Sequence, residues 1–508
     1  MLSRLCPLAL LLAAPLSAQF QFVEVTQERG LDAVLNSAPG PGTAVGDIDS
    51  DGWPDLVYFG LRNQRPVIYR NNGAAVQAGT SNRWFVDISR DVLQNICPPS
   101  SMGLLADVDN DGDPDLIFSR LHIDPATGEY TPNRTSMHYL ENRVPQGGRF
   151  VDVGTNDPNA GYSETRTTGM TMADCDNDGD LDLVYLHNGG NAALIGGPGF
   201  YFRNEGGGQF SDQTALFGAD LFENNRHFTP ALVDFSGDML PDLHVSIDFY
   251  QDKHCLNLGG GMFQDVSQAA GTTSTNADMG LAVGDIDNDG DMDMYSTNIN
   301  IGVLYVNNGA GHFTDEAATR GVFSWGSSTT IGWGTAFGDL DMDRDQDLCF
   351  VAYGNAPGHI YENDGTGHFT DRTALNPELF MRGHGLIPFD YDMDGDLDLL
   401  VMRSGPSTPS LYENQAEQSG QHWLQITLRG TTSNREGIGA RIEATFQDGL
   451  KQTQFVKAGT SFRSALPSKV HFGMGSHTEV RRLVVTWPSG QVTEMASVPA
   501  DQHMLIVE

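Results

Sequence analysis

Seven short aspartate-rich loops recur along the chain, and their residue types indicate cation binding. Positions one, five and nine of every loop are aspartate, position three is aspartate in six copies, and position six is glycine in five. Ca²⁺ takes about six to eight oxygen ligands at about 2.3 to 2.6 Å, so these side chains can share one ion if the chain curls, which glycine permits. The candidate ligands, loop by loop, are Asp47, Asp49, Asp51 and Asp55; Asp107, Asp109, Asp111 and Asp115; Asp174, Asp176, Asp178 and Asp182; Asp234, Ser236, Asp238 and Asp242; Asp285, Asp287, Asp289 and Asp293; Asp339, Asp341, Asp343 and Asp347; and Asp390, Asp392, Asp394 and Asp398.

The seven loops are not equivalent as metal sites. In the fourth loop Ser236 replaces the second aspartate and Met239 stands at the glycine position, and in the sixth loop Arg344 stands there. We therefore expect up to seven bound Ca²⁺ ions, with the fourth and sixth sites weakest. The alternatives are a polar turn that faces water and a catalytic carboxylate pair. Both are disfavoured, because a turn needs no cluster of repelling charges and an active site needs no seven copies.

The loops lie between apolar runs that predict β-strands. Their first aspartates are 51 to 67 residues apart, a spacing that suits one structural unit per repeat. An EF-hand is excluded because it needs flanking helices and a Glu at position twelve, where the first loop has Tyr58. A Y-x-N pattern and an F-x-D pattern follow in most units, separated by Asn/Gly turns that are typical of hairpins. Each unit therefore supplies about four antiparallel strands, as in a propeller blade.

The ends of the repeat region predict a closed ring. Phe22-Val-Glu24 resembles the F-x-D strand but precedes the first loop, whereas the last unit stops after Tyr412-Glu-Asn414. If the N-terminal strand completes the last blade, the ring hides the sheet edge that a linear array would expose. We therefore predict an all-β fold, with a seven-bladed β-propeller over residues 19–416 and a small β-sandwich-like domain over residues 420–508.

Composition limits the partners and the compartment. The net charge is −37, and nearly half of the 66 acidic residues lie in the seven loops. Only 29 lysines and arginines are present, so nucleic acid is not expected as a partner. The opening sequence MLSRLCPLALLLAAPLSAQ predicts a secretory signal peptide over residues 1–18, and no later stretch is long enough for a membrane span. We expect a protein that is secreted, periplasmic or at the cell surface.

The cysteines that remain after cleavage indicate neither a zinc site nor a disulfide scaffold. Cys97, Cys175, Cys255 and Cys349 are far apart and include no C-x-x-C pair. An occasional disulfide remains open, but we expect four separate buried thiols.

The loops and their register resemble the FG-GAP (VCBS-type) repeats of integrin α-subunit heads and of bacterial secreted proteins. The resemblance runs from about Phe20 to Gln415 and includes seven loops in register, five of which match D-x-D-x-D-G-x-x-D in full. It implies a seven-bladed propeller and Ca²⁺ at the matching aspartates. The fourth and sixth loops depart from the pattern.

The C-terminal segment changes character after Asn414. It contains no Asp loop and reads GIGARIEATFQDG, VKAGTSFRSALPSKVHFGMG and VRRLVVTWPSGQV. These sequences resemble the ASPIC/UnbV domain found behind such propellers in bacteria and in the cartilage acidic protein group. Alternating apolar positions predict a small antiparallel sandwich. We interpret Trp487-Pro-Ser-Gly490 as a strand end and turn.

A second candidate site lies on the face of the ring opposite the Asp loops. Arg166, Arg226 and Arg382 each stand eight residues before a loop, with His227 and His384 close by in sequence. Equivalent positions in successive blades should point these side chains at a common rim, which would suit an anionic or sugar ligand. The alternative is that the arginines pair with the abundant aspartates.

The leading functional hypothesis is a Ca²⁺-dependent adhesion or recognition module for an extracellular protein or polysaccharide. The runner-up is a carbohydrate-active, lyase-like enzyme, because some propellers of this repeat type belong to such enzymes. A purely structural module of an envelope or matrix is the third. No H-E-x-x-H or G-x-S-x-G motif is present, so we expect no catalysis.

Overall fold

The chain forms an all-β structure that is built from many short antiparallel sheets. It was analysed as a computed structural model, which describes residues 21–32, 35–37, 42–60, 65–93, 100–123, 130–154, 165–189, 197–218, 225–325, 330–353, 358–375, 383–403, 405–407 and 409–508. The predicted signal peptide over residues 1–18, Cys97 and Arg382 lie outside these ranges. Within the described residues, no helix has the length and apolar character needed to cross a membrane.

Seven sheets follow one another along the chain, each with four strands from the repeat region, and the first of them carries Ser464–Ala465 as a fifth strand. In each sheet the first and second strands flank an Asp loop. Strands one to four of the successive sheets are Gly42–Gly46, Asp55–Phe59, Val67–Asn71 and Phe85–Asp87; Ser100–Ala106, Asp115–Ile123, Tyr130–Glu141 and Val151–Gly154; Thr165–Ala173, Asp182–Gly189, Gly199–Asn204 and Phe210–Asp212; His227–Val233, Asp242–Ile247, Lys253–Asn257 and Phe263–Asp265; Leu281–Gly284, Asp293–Thr297, Gly302–Asn307 and Phe313–Asp315; Ile331–Gly338, Asp347–Tyr353, His359–Asn363 and Phe369–Asp371; and Gly383–Phe389, Asp398–Arg403, Ser410–Asn414 and Phe22–Glu24.

Short elements connect these sheets. Leu35–Ser37 and Gly405–Ser407 form a two-stranded sheet. Helical turns follow several strands, at Gly73–Gln77, Ser89–Val92, Thr214–Phe217, Ser267–Ala270, Thr373–Leu375 and Ala416–Ser419. None of these turns is long enough to bury an apolar face of its own, so the core is made by the sheets.

The N-terminal strand completes the seventh sheet, as the sequence predicts. Phe22–Glu24 pairs antiparallel with Ser410–Asn414, and Phe22 lies opposite Asn414. The first and seventh sheets also share a buried cluster, in which Val45 and Leu56 pack with Ile387. The ends of the repeat region are therefore joined by backbone pairing and by apolar packing.

Glycines let the first strands of neighbouring sheets approach closely. A Cβ atom on Gly169 would lie 2.2 Å from the carbonyl oxygen of Phe228 in the next sheet. A Cβ atom on Gly280 would lie 2.0 Å from the carbonyl oxygen of Trp333. Because both distances are far below van der Waals contact, a side chain at either position would push two sheets apart.

The C-terminal segment forms two further sheets. One contains Val470–Gly475, His422–Arg429 and Gln502–Val507, and the other contains Lys451–Phe455, Arg441–Thr445, Glu479–Thr486 and Val492–Pro499. The expectation of a purely antiparallel sandwich is wrong at one pairing, because His422–Arg429 and Gln502–Val507 run parallel. Alternating apolar residues fix which face is buried, but they carry no information on strand direction. Trp487 directly follows the strand Glu479–Thr486, and its carbonyl accepts a hydrogen bond from the Gly490 amide at 2.8 Å, which agrees with the predicted strand end and turn.

Three of the four cysteines lie in the described part of the chain, and their redox state can be stated. Cys175, Cys255 and Cys349 are free thiols and are buried. Burial raises the pKa of all three thiols, so they stay protonated. Their separation agrees with the expectation of isolated core cysteines.

Candidate metal centres

Each Asp loop curls around the carboxylate at its first position. In the first loop, Asp47 accepts hydrogen bonds from the amides of Asp51 and Gly52 at 3.0 and 2.9 Å. The amides at positions five and six make the same two bonds in the next five loops, and the seventh loop makes the second of them. The loop backbone therefore folds in the same way whether or not position six is glycine.

The aspartate at position nine ties the loop to its own sheet. In the second loop, Asp115 accepts from the amide of Val108 at 3.1 Å and from the amide of Asn142 at 2.7 Å. Asp115 is fully buried, and so is Val108 at position two. The apolar residue at position two therefore anchors the loop in its sheet.

This curl brings the candidate ligands together. In at least five loops, one ligand atom from each of three carboxylates lies within 4.8 Å of the other two. These groups are Asp47, Asp49 and Asp55; Asp107, Asp109 and Asp115; Asp174, Asp176 and Asp178; Asp285, Asp287 and Asp289; and Asp339, Asp341 and Asp347. All donors are oxygen, which is the ligand type that Ca²⁺ prefers.

A buried oxygen at position three lacks a protein partner in five of the seven loops. The Oδ1 atoms concerned belong to Asp49, Asp176, Asp287, Asp341 and Asp392. A buried carboxylate without a partner is unfavourable, so it either takes up a proton or pairs with a cation. The same unpartnered oxygen at the same position in repeated loops indicates that these loops bind the same kind of ligand.

The pKa values of many loop carboxylates are raised, as expected for buried negative charges that lack a balancing positive charge. Burial, together with repulsion from Glu436, raises the pKa of Asp107 to about 8. Burial, with repulsion from Asp289 and Asp287, raises the pKa of Asp285 to about 8. A divalent cation among these groups would remove the repulsion and keep them ionised. The donor set therefore fits Ca²⁺, which would be held by positions one, three, five and nine and would crosslink the loop.

An asparagine on the third strand of every sheet joins one loop to the next. Asn142 of the second sheet donates from Nδ2 to the Ile48 carbonyl of the first loop at 2.9 Å and to the Pro114 carbonyl of its own loop at 3.0 Å. Equivalent bonds to the preceding loop are made by Asn204, Asn257, Asn307, Asn363 and Asn414. The series returns to its start, because Asn71 of the first sheet donates to the Tyr391 carbonyl of the seventh loop at 2.8 Å. We call these seven residues the asparagine relay.

Position six has a left-handed backbone in all seven loops. The φ angles at the five glycines lie between 94° and 105°, whereas Met239 has φ 68° and Arg344 has φ 91°. A side chain in this region is strained, as the sequence predicts for the fourth and sixth loops. Arg344 donates to Asp448 of the C-terminal domain at 2.7 Å, so its charge is engaged outside the carboxylate cluster.

The Met239→Gly variant is expected to be more stable than the wild type by about 1 kcal/mol, because glycine adopts this φ without strain. The measurement is the free energy of unfolding in denaturant, at saturating calcium. Arg344→Gly is the matched comparison, and no gain is expected from it because the bond to Asp448 and the stacking over Phe446 are lost. A Met239→Gly protein no more stable than the wild type would contradict the strain.

The C-terminal domain covers the face that carries the Asp loops, and its side chains contact the backbone carbonyls at position six. Lys469 Nζ donates to the Gly52 carbonyl at 3.0 Å, and Arg441 Nη2 donates to the Gly290 carbonyl at 3.3 Å. Gln452 and His471 contact the position-six carbonyls of the sixth and seventh loops at 2.5 and 2.8 Å. Sequence analysis missed this docking, because these residues belong to no shared motif.

The five residues of the predicted opposite rim have different surroundings. Arg226 lies 3.5 Å from Asp248 and stacks over Phe249, as the ion-pair alternative expects. His227 and His384 are buried. The Arg166 backbone lies opposite Asn188 in the third sheet, and Arg382 is outside the described residues.

Two protein families match this chain, namely the FG-GAP-like repeat at residues 47–118, 234–296 and 339–401, and the ASPIC and UnbV domain at residues 430–508. Cartilage acidic protein 1 of Mus musculus is 23% identical over 494 residues, covering 80% of this chain and 72% of that protein. The Homo sapiens protein of the same name is 23% identical over 475 residues, covering 76% and 68%. A solved structure of an Agrocybe aegerita lectin, described for recognition of non-reducing terminal N-acetylglucosamine, covers 73% of this chain and 93% of its own at 18% identity and a TM-score of 0.44. The chain is therefore an FG-GAP repeat protein with a C-terminal ASPIC and UnbV domain, related to cartilage acidic protein 1.

Proposed function

We propose that this protein is a calcium-binding, seven-bladed β-propeller that acts outside the cytoplasm as a recognition module for a protein or a polysaccharide, without catalysis. The observation that carries the calcium assignment is the recurrent buried Oδ1 atom at position three of the loops. One such buried oxygen in a single loop would not be decisive. The recurrence of this atom at one position in five loops supports a built metal site, because unrelated packing defects would not share a register.

The architecture in this proposal takes each four-stranded sheet as one blade. The asparagine relay supports a ring, since its last bond joins the first sheet to the seventh loop. The pairing of Phe22–Glu24 with Ser410–Asn414 supports the same closure. In this arrangement the propeller spans residues 19–416, the ASPIC and UnbV domain spans residues 420–508, and a signal peptide over residues 1–18 directs export.

The face opposite the metal loops supports the recognition role. Second strands run from the Asp loops toward that face, and exposed aromatic side chains lie where they end. Phe249 and Tyr250 follow Asp242–Ile247, and Tyr353 ends Asp347–Tyr353. Exposed aromatic rings provide stacking surfaces for sugars and for apolar side chains. The metal-loop face is covered by the C-terminal domain, so the aromatic face is the one we assign to an external partner.

The test is a screen of the calcium-loaded protein against arrays of glycans and matrix proteins, with a chelated sample beside it. We expect binding that is lost on chelation and weakened at least tenfold by Phe249→Ala or Tyr353→Ala. Val492→Ala is the matched control, because Val492 is an exposed apolar residue on the C-terminal domain. Binding that survives chelation, or that falls equally in all three variants, would count against a calcium-organised aromatic face.

A further inference from the structure

A segment of the C-terminal domain packs against the first strands of the sheets in the repeat region. Residues 457–465 connect Lys451–Phe455 to the later strands of that domain, and they reach the first strands of several sheets. The Thr43 amide donates to the Arg463 carbonyl at 3.0 Å, and the Ser461 amide donates to the Leu281 carbonyl at 2.9 Å. Thr171 donates from Oγ1 to the Ala458 carbonyl at 2.5 Å. The segment is thus hydrogen-bonded to the first, fifth and third sheets.

Side-chain packing extends these contacts to the remaining sheets. Phe462, which is 1% exposed, packs against Phe228 of the fourth sheet, Trp333 of the sixth and His384 of the seventh. Ser464–Ala465 contacts Ser100–Ala106 of the second sheet. Residues 457–465 therefore contact all seven sheets.

The segment also fills the junction between the seventh and first sheets. First strands of successive sheets contact one another from the first sheet round to the seventh. At the remaining junction, the short strand Ser464–Ala465 contacts both Gly383–Phe389 and Gly42–Gly46. It pairs in parallel with Gly42–Gly46, where Thr43 lies opposite Ser464. The inner side of this junction is therefore bridged by the C-terminal domain.

The backbone of the segment is strained in a way that its surroundings enforce. Ser461 has φ 72° and Arg463 has φ 52°, although neither is glycine. Arg463 is 3% exposed and donates from Nη2 to the Thr167 carbonyl at 3.3 Å. Non-glycine residues hold such angles only where the structure around them determines the conformation, and such positions cluster at functional sites. A loosely attached loop would relax.

We propose that residues 457–465 are an intramolecular plug that holds the ring of sheets closed from its axis. In this role the ASPIC and UnbV domain is a closing part of the propeller and not an independent binding module. The plug occupies the axial channel, so an external ligand binds on the aromatic face and not along the axis. The proposal rests on the propeller architecture proposed above, but not on the identity of any ligand or metal.

Hydrogen exchange of the full-length, calcium-loaded protein tests the plug without a mutation. We expect amides of residues 457–465 to exchange at least about 100-fold more slowly than those of the exposed turn at residues 488–491, and at rates close to those of Leu281–Gly284. Exchange of the segment at the rate of the turn would overturn the proposal.

Three variants give a second readout in melting temperature. Phe462→Ala is expected to lower it by at least about 5 °C and to accelerate exchange in first strands of several sheets, because a side chain shared by three sheets is removed. Ser461→Gly keeps the amide bond and relieves the strained φ, so its melting temperature should equal or exceed that of the wild type. Arg482→Ala, which removes an exposed ion pair with Glu494, is the matched control.

If Phe462→Ala has the same melting temperature and the same hydrogen exchange as Arg482→Ala, the plug does not hold the ring and the proposal is wrong. All three variants retain every metal ligand. A wild-type protein that binds no calcium would therefore contradict the proposed function separately, because the plug is judged by exchange and melting temperature.

Discussion

Chelation of calcium is expected to lower the melting temperature of this protein by about 10 °C or more. At about 1 mM free Ca²⁺, a site with a dissociation constant of about 10 to 100 μM stabilises the folded state by about 1.4 to 2.7 kcal/mol, and the contributions of several sites add. The cause is the buried carboxylate cluster of each loop, whose mutual repulsion a bound cation relieves while the carboxylates stay ionised. Thermal denaturation with calcium, and with a chelator at matched ionic strength, measures the effect. An unchanged melting temperature after chelation would contradict the claim that bound calcium stabilises the fold.

The pH dependence of the chelated protein should run opposite to that of the loaded protein. Burial raises the pKa of Asp115 and of Asp182 to about 8, above the ordinary value of 3.8. For a carboxylate with a raised folded-state pKa, stability is fully present below the unfolded pKa and is lost as the pH rises through the folded value. Without calcium, the melting temperature should therefore fall between pH 5 and pH 8.

With calcium, the ion binds the ionised carboxylates, so acidification toward pH 5 should release it and lower the melting temperature. Magnesium at the same concentration is the control for ionic strength, and it should stabilise less because it demands a smaller, more regular site. The same pH trend in loaded and chelated samples would contradict the assignment of these carboxylates as ligands.

Removal of one member of the asparagine relay is the second large effect that we expect. Asn307 donates to the Phe235 carbonyl of the preceding loop at 2.9 Å and to the Met292 carbonyl at 3.2 Å, and it is almost fully buried. Asn307→Ala leaves both carbonyls without these donors, so the free energy of unfolding should fall by about 2 to 4 kcal/mol. Denaturant unfolding at saturating calcium is the measurement.

The neighbouring Asn308 provides the matched control. It is exposed, and its side chain only accepts a bond from the Ala310 amide within the same turn. Asn308→Ala should change the free energy of unfolding by less than about 1 kcal/mol. Asn307→Asp keeps the size but removes the donors, so it should be as damaging as Asn307→Ala. Similar losses in the Asn307→Ala and Asn308→Ala variants would show that the relay is not a joint between sheets.

Much of the repeat architecture was predictable because its signals are local and recur. The Asp loops, their flanking strands and the strained angles at Met239 and Arg344 follow from a few adjacent residues. The pairing of the Phe22 strand was also predictable, because one unit lacks a strand that the other end supplies. The calcium ions and the ligand remain predictions.

Other features have no local signal. The relay asparagine was visible in the Y-x-N pattern. Its role was hidden because three units lack the tyrosine at that position and have Leu140-Glu-Asn142, Phe202-Arg-Asn204 and Cys255-Leu-Asn257 instead. Recurrence of the asparagine alone, in all seven units, would have found it. The pairing of Ser464 with Thr43 could not be predicted, because parallel pairing between distant segments depends on the assembled ring.

The positions of the closing contacts along the chain set the order of events in synthesis. The bond from Asn71 to Tyr391 spans 320 residues, and the Phe22 strand waits for Asn414. The strand Ser464–Ala465 emerges later still. A ribosome therefore delivers the repeat strands of six sheets before the two ends of the repeat region can join, and their growing edge remains open to wrong partners until then. We therefore expect the first sheet to gain its fifth strand only after the ASPIC and UnbV domain has left the ribosome.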